Sequence, residues 1–109
     1  MLGLDRLEVL ELQLGNNINL KIDGIDRVGE AIKSMRNLKE LSVLIGDNCY
    51  FGSDEAKKMF QGLGECENLE KFKLHVGKCN QLQEEGFCVI STGIGKLKKI
   101  KDFVLLIAD

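Results

Sequence analysis

The chain has 109 residues, room for one domain, and its 44% hydrophobic and 29% charged residues are those of an ordinary soluble protein. Fifteen Lys and Arg against seventeen Asp and Glu leave a net charge of −2, which disfavours nucleic acid, whose binders are basic. No apolar run reaches the ~20 residues of a membrane-spanning helix, so no membrane insertion is expected.

Taken in chain order, two hydrophobic periods alternate. Leu10-Glu11-Leu12-Gln13-Leu14 is apolar at every second position, the pattern of a half-buried strand. Ile25, Val28, Ile32 and Met35 then fall three or four apart and predict a helix over 24–36. Leu41 to Ile45 predicts a second strand, and Ala56, Met59, Leu63 and Cys66 a helix over 54–66. Phe72 to Val76 predicts a third strand. Phe87, Ile90, Ile94 and Leu97 predict a helix over 85–97. Phe103 to Ile107 completes the set with a fourth strand that is apolar on both faces. Acidic or hydroxyl residues precede each helix (Asp23, Ser53 with Asp54, Glu84 with Glu85), where they can cap free N–H groups or suit the positive helix end.

The elements recur every 31 residues. Leu7, Leu38, Leu69 and Ile100 share one column; Leu10, Leu41, Phe72 and Phe103 share another. The columns Leu12-Val43-Leu74-Leu105 and Leu14-Ile45-Val76-Ile107 follow without insertion or deletion. Gly15, Gly46 and Gly77 keep the same register. A strand and helix repeated in this way cannot bury its apolar side alone, whereas stacked units can. The expected fold class is therefore an α/β solenoid, with a parallel concave sheet of four strands and about three convex helices. It forms a single domain over 1–109, built from units 7–37, 38–68, 69–99 and a partial unit 100–109.

Leu7-x-x-Leu10-x-Leu12, and its counterparts from Leu38, Leu69 and Ile100, resemble the opening of the leucine-rich-repeat consensus. The Asn position of that consensus comes two residues late, at Asn17, Asn48 and Cys79. The long unit is similar to the ribonuclease-inhibitor-like branch of leucine-rich-repeat proteins. It comes closest to the tandem arrays of ciliated single-celled eukaryotes, through Leu12 to Asn17, Asp23-Gly24, Glu85-Gly86 and Cys66-Glu67-Asn68-Leu69. The resemblance implies binding of a protein partner on the concave face or its edges. It implies a non-enzymatic interaction or scaffold subunit of an intracellular assembly, cytoskeletal or ciliary by resemblance. The alternative is a regulatory or targeting module that inhibits or recruits an enzyme.

Strand alternation turns three columns outward: Val9-Glu40-Lys71-Asp102, Glu11-Ser42-Lys73-Val104 and Gln13-Leu44-His75-Leu106. The candidate partner-binding residues are Glu11, Gln13, Ser42, Leu44, Lys73, His75, Val104 and Leu106, with Leu44, His75, Val104 and Leu106 at the centre. Charge is uneven. Residues 38–68 carry three Lys against six Asp and Glu, whereas 69–99 carry six Lys against three Glu, a pattern suited either to steering a partner or to lysines at a helix C-terminus.

No catalytic residue, metal or cofactor is expected. Cys49, Cys66, Cys79 and Cys88 with the lone His75 lack the clustered spacing of a zinc site. Residues 1–10 lack a secretory pattern, so reduced thiols in a cytoplasmic setting are expected. Cys66 reads as core, Cys88 as half-buried, and Cys49 and Cys79 as neighbours on adjacent coils. Gly62 and Gly93, in the column of Ala31, suggest close helix packing instead of a phosphate-cradling loop. The open edge of the last strand calls for a longer array or for a second subunit that covers it; the second is the expectation.

Overall fold

Alternation and helical spacing become seven elements in the computed structural model of the chain, which describes residues 6–16, 22–78 and 80–108. In order they are β1 (Val9–Leu14), α1 (Ile22–Lys33), β2 (Glu40–Ile45), α2 (Ser53–Leu63), β3 (Lys71–Val76), α3 (Gln83–Gly95) and β4 (Asp102–Ile107). The four strands form one sheet in the order β1-β2-β3-β4, and every neighbouring pair is parallel. Leu10 lies opposite Leu41, Leu41 opposite Phe72, and Phe72 opposite Phe103, the columns expected from the 31-residue spacing.

The period-2 pattern decides which face is covered. Leu41, Val43, Ile45, Phe72, Leu74 and Val76 are at most 2% exposed and point at the helices. Ile25, Ile32, Ala56, Met59, Leu63 and Ile90 meet them from the helical layer in one continuous core. Each fully buried aliphatic or aromatic side chain there contributes roughly 1.5–3 kcal/mol. Phe72 stacks on Phe103 at 5.7 Å and meets Phe60 edge-on at 5.8 Å, which locks β3 and β4 to α2. The strands at the two sheet edges are less covered: Leu10, Leu12, Leu14, Phe103 and Leu105 are half-buried.

The helix layer is set by small residues. A Cβ on Gly62 would overlap the backbone of Gly29, and one on Gly93 would overlap the ring of Phe60. The expected close packing is therefore direct backbone contact between α1 and α2, and a ring filling the same space between α2 and α3. At the start of α2, the Glu55 carboxylate accepts the Gly52 N–H at 2.8 Å, and Asp54 with Glu55 place negative charge in the first turn. Ser53 opens the helix instead of capping it; the N-cap is Gly52. Glu84 and Glu85 occupy the first turn of α3 behind an N-cap at Leu82.

Two core expectations need correction. Phe87 is 42% exposed, while Gly86 is buried. The start of α3 is turned so that Gly86 sits against the Leu82 side chain, and Phe87 swings outward. Cys88, next along that surface, is exposed instead of half-buried. Cys66 is buried as expected.

The loops after the strands bind one another through side chains. The Asp47 N–H donates to Asn16 Oδ1 at 2.8 Å, and the Lys78 N–H to Asp47 Oδ1 at 2.6 Å. Asn80 Oδ1 accepts the N–H groups of Cys49 and Phe51 at 3.0 Å each. Its Nδ2 donates to the carbonyls of Gly46 and Gly77, also at 3.0 Å. One coil earlier the position of Asn80 is held by Cys49, whose thiol donates to the Gly15 carbonyl at 2.9 Å. Among the described residues, the side chains that tie loop to loop thus include Asn16, Asp47, Cys49 and Asn80. Asn48, between Asp47 and Cys49, has φ 57°. Asn17, Leu20 and Cys79 lie outside the described residues, and with them the question of a Cys49–Cys79 contact.

Candidate functional site

On the sheet face away from the helices, side chains stand in three rows fixed by the strand register. Val9, Glu40, Lys71 and Asp102 form the first; Glu11, Ser42, Lys73 and Val104 the second; Gln13, Leu44, His75 and Leu106 the third. Adjacent strands are ~4.8 Å apart, so members of a row stand side by side on one surface. All eight candidate residues therefore lie together, in the second and third rows. Glu11, Gln13, Lys73, Val104 and Leu106 are exposed, and Ser42, Leu44 and His75 are half-buried between their neighbours.

The polarity of this face changes across the strands. Glu11 and Glu40 stand on β1 and β2, Lys71 and Lys73 on β3, and Val104 with Leu106 on β4. Lys71 pairs with Glu40 at 3.4 Å. Lys73 has no ion pair among the described residues, and its cationic group is free to meet an anion. The first two rows line a depression of about 440 Å³ whose walls include Val9, Glu11, Ser42, Lys71, Lys73 and Val104. The third row runs beside it. There His75 is flanked by Leu44 and Leu106, which offer apolar contact and no acid, base or nucleophile.

At the entry to the strands a fourth row alternates in sign. Glu8 pairs with Lys39 at 3.3 Å, and Glu70 with Lys101 at 3.3 Å. Sequence reasoning passed over this row because it precedes the alternating segments; stepping by 31 from Glu8 would have found it. A second hollow of about 420 Å³ lies between α2 and α3, walled by Phe60, Gln61, Cys88, Val89, Thr92 and Lys96. It was not legible in the sequence, because it exists only where the Phe60 ring holds the two helices apart.

Other sequence features take plain structural places. Gly62 belongs to the last turn of α2, and Gly93 and Gly95 to that of α3, far from any strand-to-helix turn where phosphate would bind. Burial, and then the charge of neighbouring Glu65, push the Cys66 thiol up from 9.0 to about 11, and it donates to the Ile32 carbonyl at 3.3 Å. Among the described residues no three His, Cys, Asp or Glu side chains stand close enough to hold a metal ion, and no helix is long and apolar enough to cross a membrane. No protein-family model matches the chain, and no curated protein is significantly similar to it in sequence.

Proposed function

We propose that the chain is a leucine-rich-repeat solenoid whose outward sheet face binds another protein, as a non-enzymatic interaction or scaffold subunit. The observation that carries this reading is the Leu44-His75-Leu106 row, with Val104 beside it. These apolar groups lie on the side of the sheet opposite the core, with Val104 45% and Leu106 44% exposed. The inward columns already fill the interior, so these side chains stay partly in water in the folded chain and can lose the rest only against a partner. The rim of Glu11, Gln13, Ser42 and Lys73 gives such a partner its polar contacts, in the arrangement of an apolar centre with a polar border. The 31-residue register supports the solenoid reading, since stacking is what allows such units to share one interior. A place in a cytoplasmic, cytoskeletal or ciliary assembly follows from the resemblance.

The test is affinity. A partner recovered by pull-down and mass spectrometry is titrated against the wild-type chain and against Leu44→Asp and Leu106→Asp. A carboxylate placed in the centre of the patch weakens binding at least tenfold. Equal affinity for all three chains removes the outward face from the binding surface.

A further inference from the structure

Both edges of the sheet are unfinished in a complementary way. Leu41, Val43 and Ile45 on β2, and Phe72, Leu74 and Val76 on β3, are at most 2% exposed. Their counterparts on the edges are not: Leu10, Leu12 and Leu14 on β1 and Phe103 and Leu105 on β4 are half-buried, and Ile107 is 39% exposed. On β4 the N–H groups of Asp102 and Ala108 donate to the β3 carbonyls of Glu70 and Val76. Strand alternation therefore turns the N–H and C=O groups of Phe103, Leu105 and Ile107 to the outer edge, where no strand among the described residues receives them.

We propose that this edge of β4 pairs in parallel with the outer edge of β1 of a second copy of the chain, extending the sheet head to tail. Charge complementarity selects that occupant. The row Glu8-Lys39-Glu70-Lys101 alternates in sign, and Glu70 stands between strands carrying Lys39 and Lys101. In the extended sheet Lys101 of one copy faces Glu8 of the next. Glu8 then gains the two basic neighbours that Glu70 already has. Phe103, Leu105 and Ile107 continue into Leu10, Leu12 and Leu14 without a change of register. A glycine already stands where close approach demands one. A Cβ on Gly46 would lie 2.7 Å from the Gly15 carbonyl carbon, and one on Gly77 2.7 Å from that of Gly46. Gly15 presents the same bare backbone to a preceding coil. The inference is independent of what the outward face binds.

Sedimentation velocity of the full chain, from micromolar to millimolar concentration, tests it. The weight-average mass rises above 12.2 kDa and keeps rising past the dimer, because head-to-tail pairing does not close. Lys101→Glu and Glu8→Lys each lower the association constant about two- to fivefold, and mixing the two variants restores it. A monomer at every concentration overturns the proposal. So does a plateau at twice the monomer mass. Weakening by Lys101→Glu but not by Glu8→Lys also overturns it, since that would mean β4 pairs with β4.

Discussion

Replacing Asn80 by Ala removes the side chain that ties the loops after β2 and β3 together, and the cost can be worked from its hydrogen bonds. Oδ1 receives the N–H groups of Cys49 and Phe51, two residues with 0% exposure. Without Asn80 these donors have no acceptor, and a buried donor left unpaired costs roughly 1–3 kcal/mol. The carbonyls of Gly46 and Gly77 lose the Nδ2 donor, but Asn80 is half-buried and water replaces it there. Counting the two N–H groups alone gives a loss of about 2–6 kcal/mol, a large share of the roughly 5–15 kcal/mol that holds a domain folded. At ~4 °C per kcal/mol for a chain of this size, the melting temperature falls by ~8–24 °C. Asn80→Asp keeps both acceptor contacts and loses only the donors that water replaces, so it costs much less than Asn80→Ala. Urea unfolding followed by circular dichroism measures both variants. An Asn80→Ala chain within about 0.5 kcal/mol of wild type would refute the reasoning, since solvent would then serve those N–H groups as well as Asn80 does.

Three further outcomes follow from the same geometry. Tyr50 sits at φ 56° with its ring 51% exposed, so Tyr50→Gly relieves a left-handed backbone and raises the urea midpoint by the equivalent of about 0.5–1 kcal/mol. Gly62→Ala drives a methyl group into the Gly29 backbone and costs at least about 1–3 kcal/mol, whereas Gly24→Ala, with open space around its Cβ, gains about 0.5–1 kcal/mol of helix propensity in the same thermal melts. The Cys66 thiol is held at about 11 against 9.0. Below pH 9 it is protonated in both folded and unfolded chains, and its contribution is complete. Above that the unfolded thiol ionises first, so stability falls as pH rises from 9 to 11, a slope that Cys66→Val flattens. A thiol reagent applied to the native chain accordingly labels exposed Cys88 at once and buried Cys66 only on unfolding.

The strands and the sheet order were legible because two independent signals agreed. Period 2 marked Leu10 to Leu14 and its three counterparts as strands, and the 31-residue spacing fixed which residue lies opposite which. The helices were legible in number, but their ends were not. α2 stops at Leu63 and the chain turns through Gly64 to Asn68, although Cys66 continues the apolar spacing; a buried side chain in a turn reads like one more helical position. Phe87 was misplaced because its column, with Ile25 and Ala56, is buried in α1 and α2. Only the turned start of α3, with Gly86 against Leu82, shows that it leaves the core. All eight candidate residues are on one face, as alternation required. The depression beside them and the signed row from Glu8 to Lys101 depend on register across four strands, which single segments do not display.

The division of labour between the two sheet faces bears on how the outward face can be tested. Stability comes from the inward columns, from backbone contact at Gly29 and Gly62, and from the Asn16, Asp47, Cys49 and Asn80 bonds between coils. The outward rows add little to it. The Lys71–Glu40 pair has side chains 58% and 43% exposed, and such surface pairs contribute ~0–1 kcal/mol. Leu106 and Val104 are nearly half in water already, so exchanging either for a polar residue forfeits about half of a full burial term, roughly 1 kcal/mol. Substitution on this face should therefore change binding without unfolding the chain, and a loss of affinity there can be read as a lost contact. The edge of β4 differs in this respect. Ile107 belongs to the inward column and Lys101 pairs with Glu70, so changes at the edge touch both folding and association. For that reason the edge is better probed by mixing charge-reversed copies, in which restored association can arise only between chains.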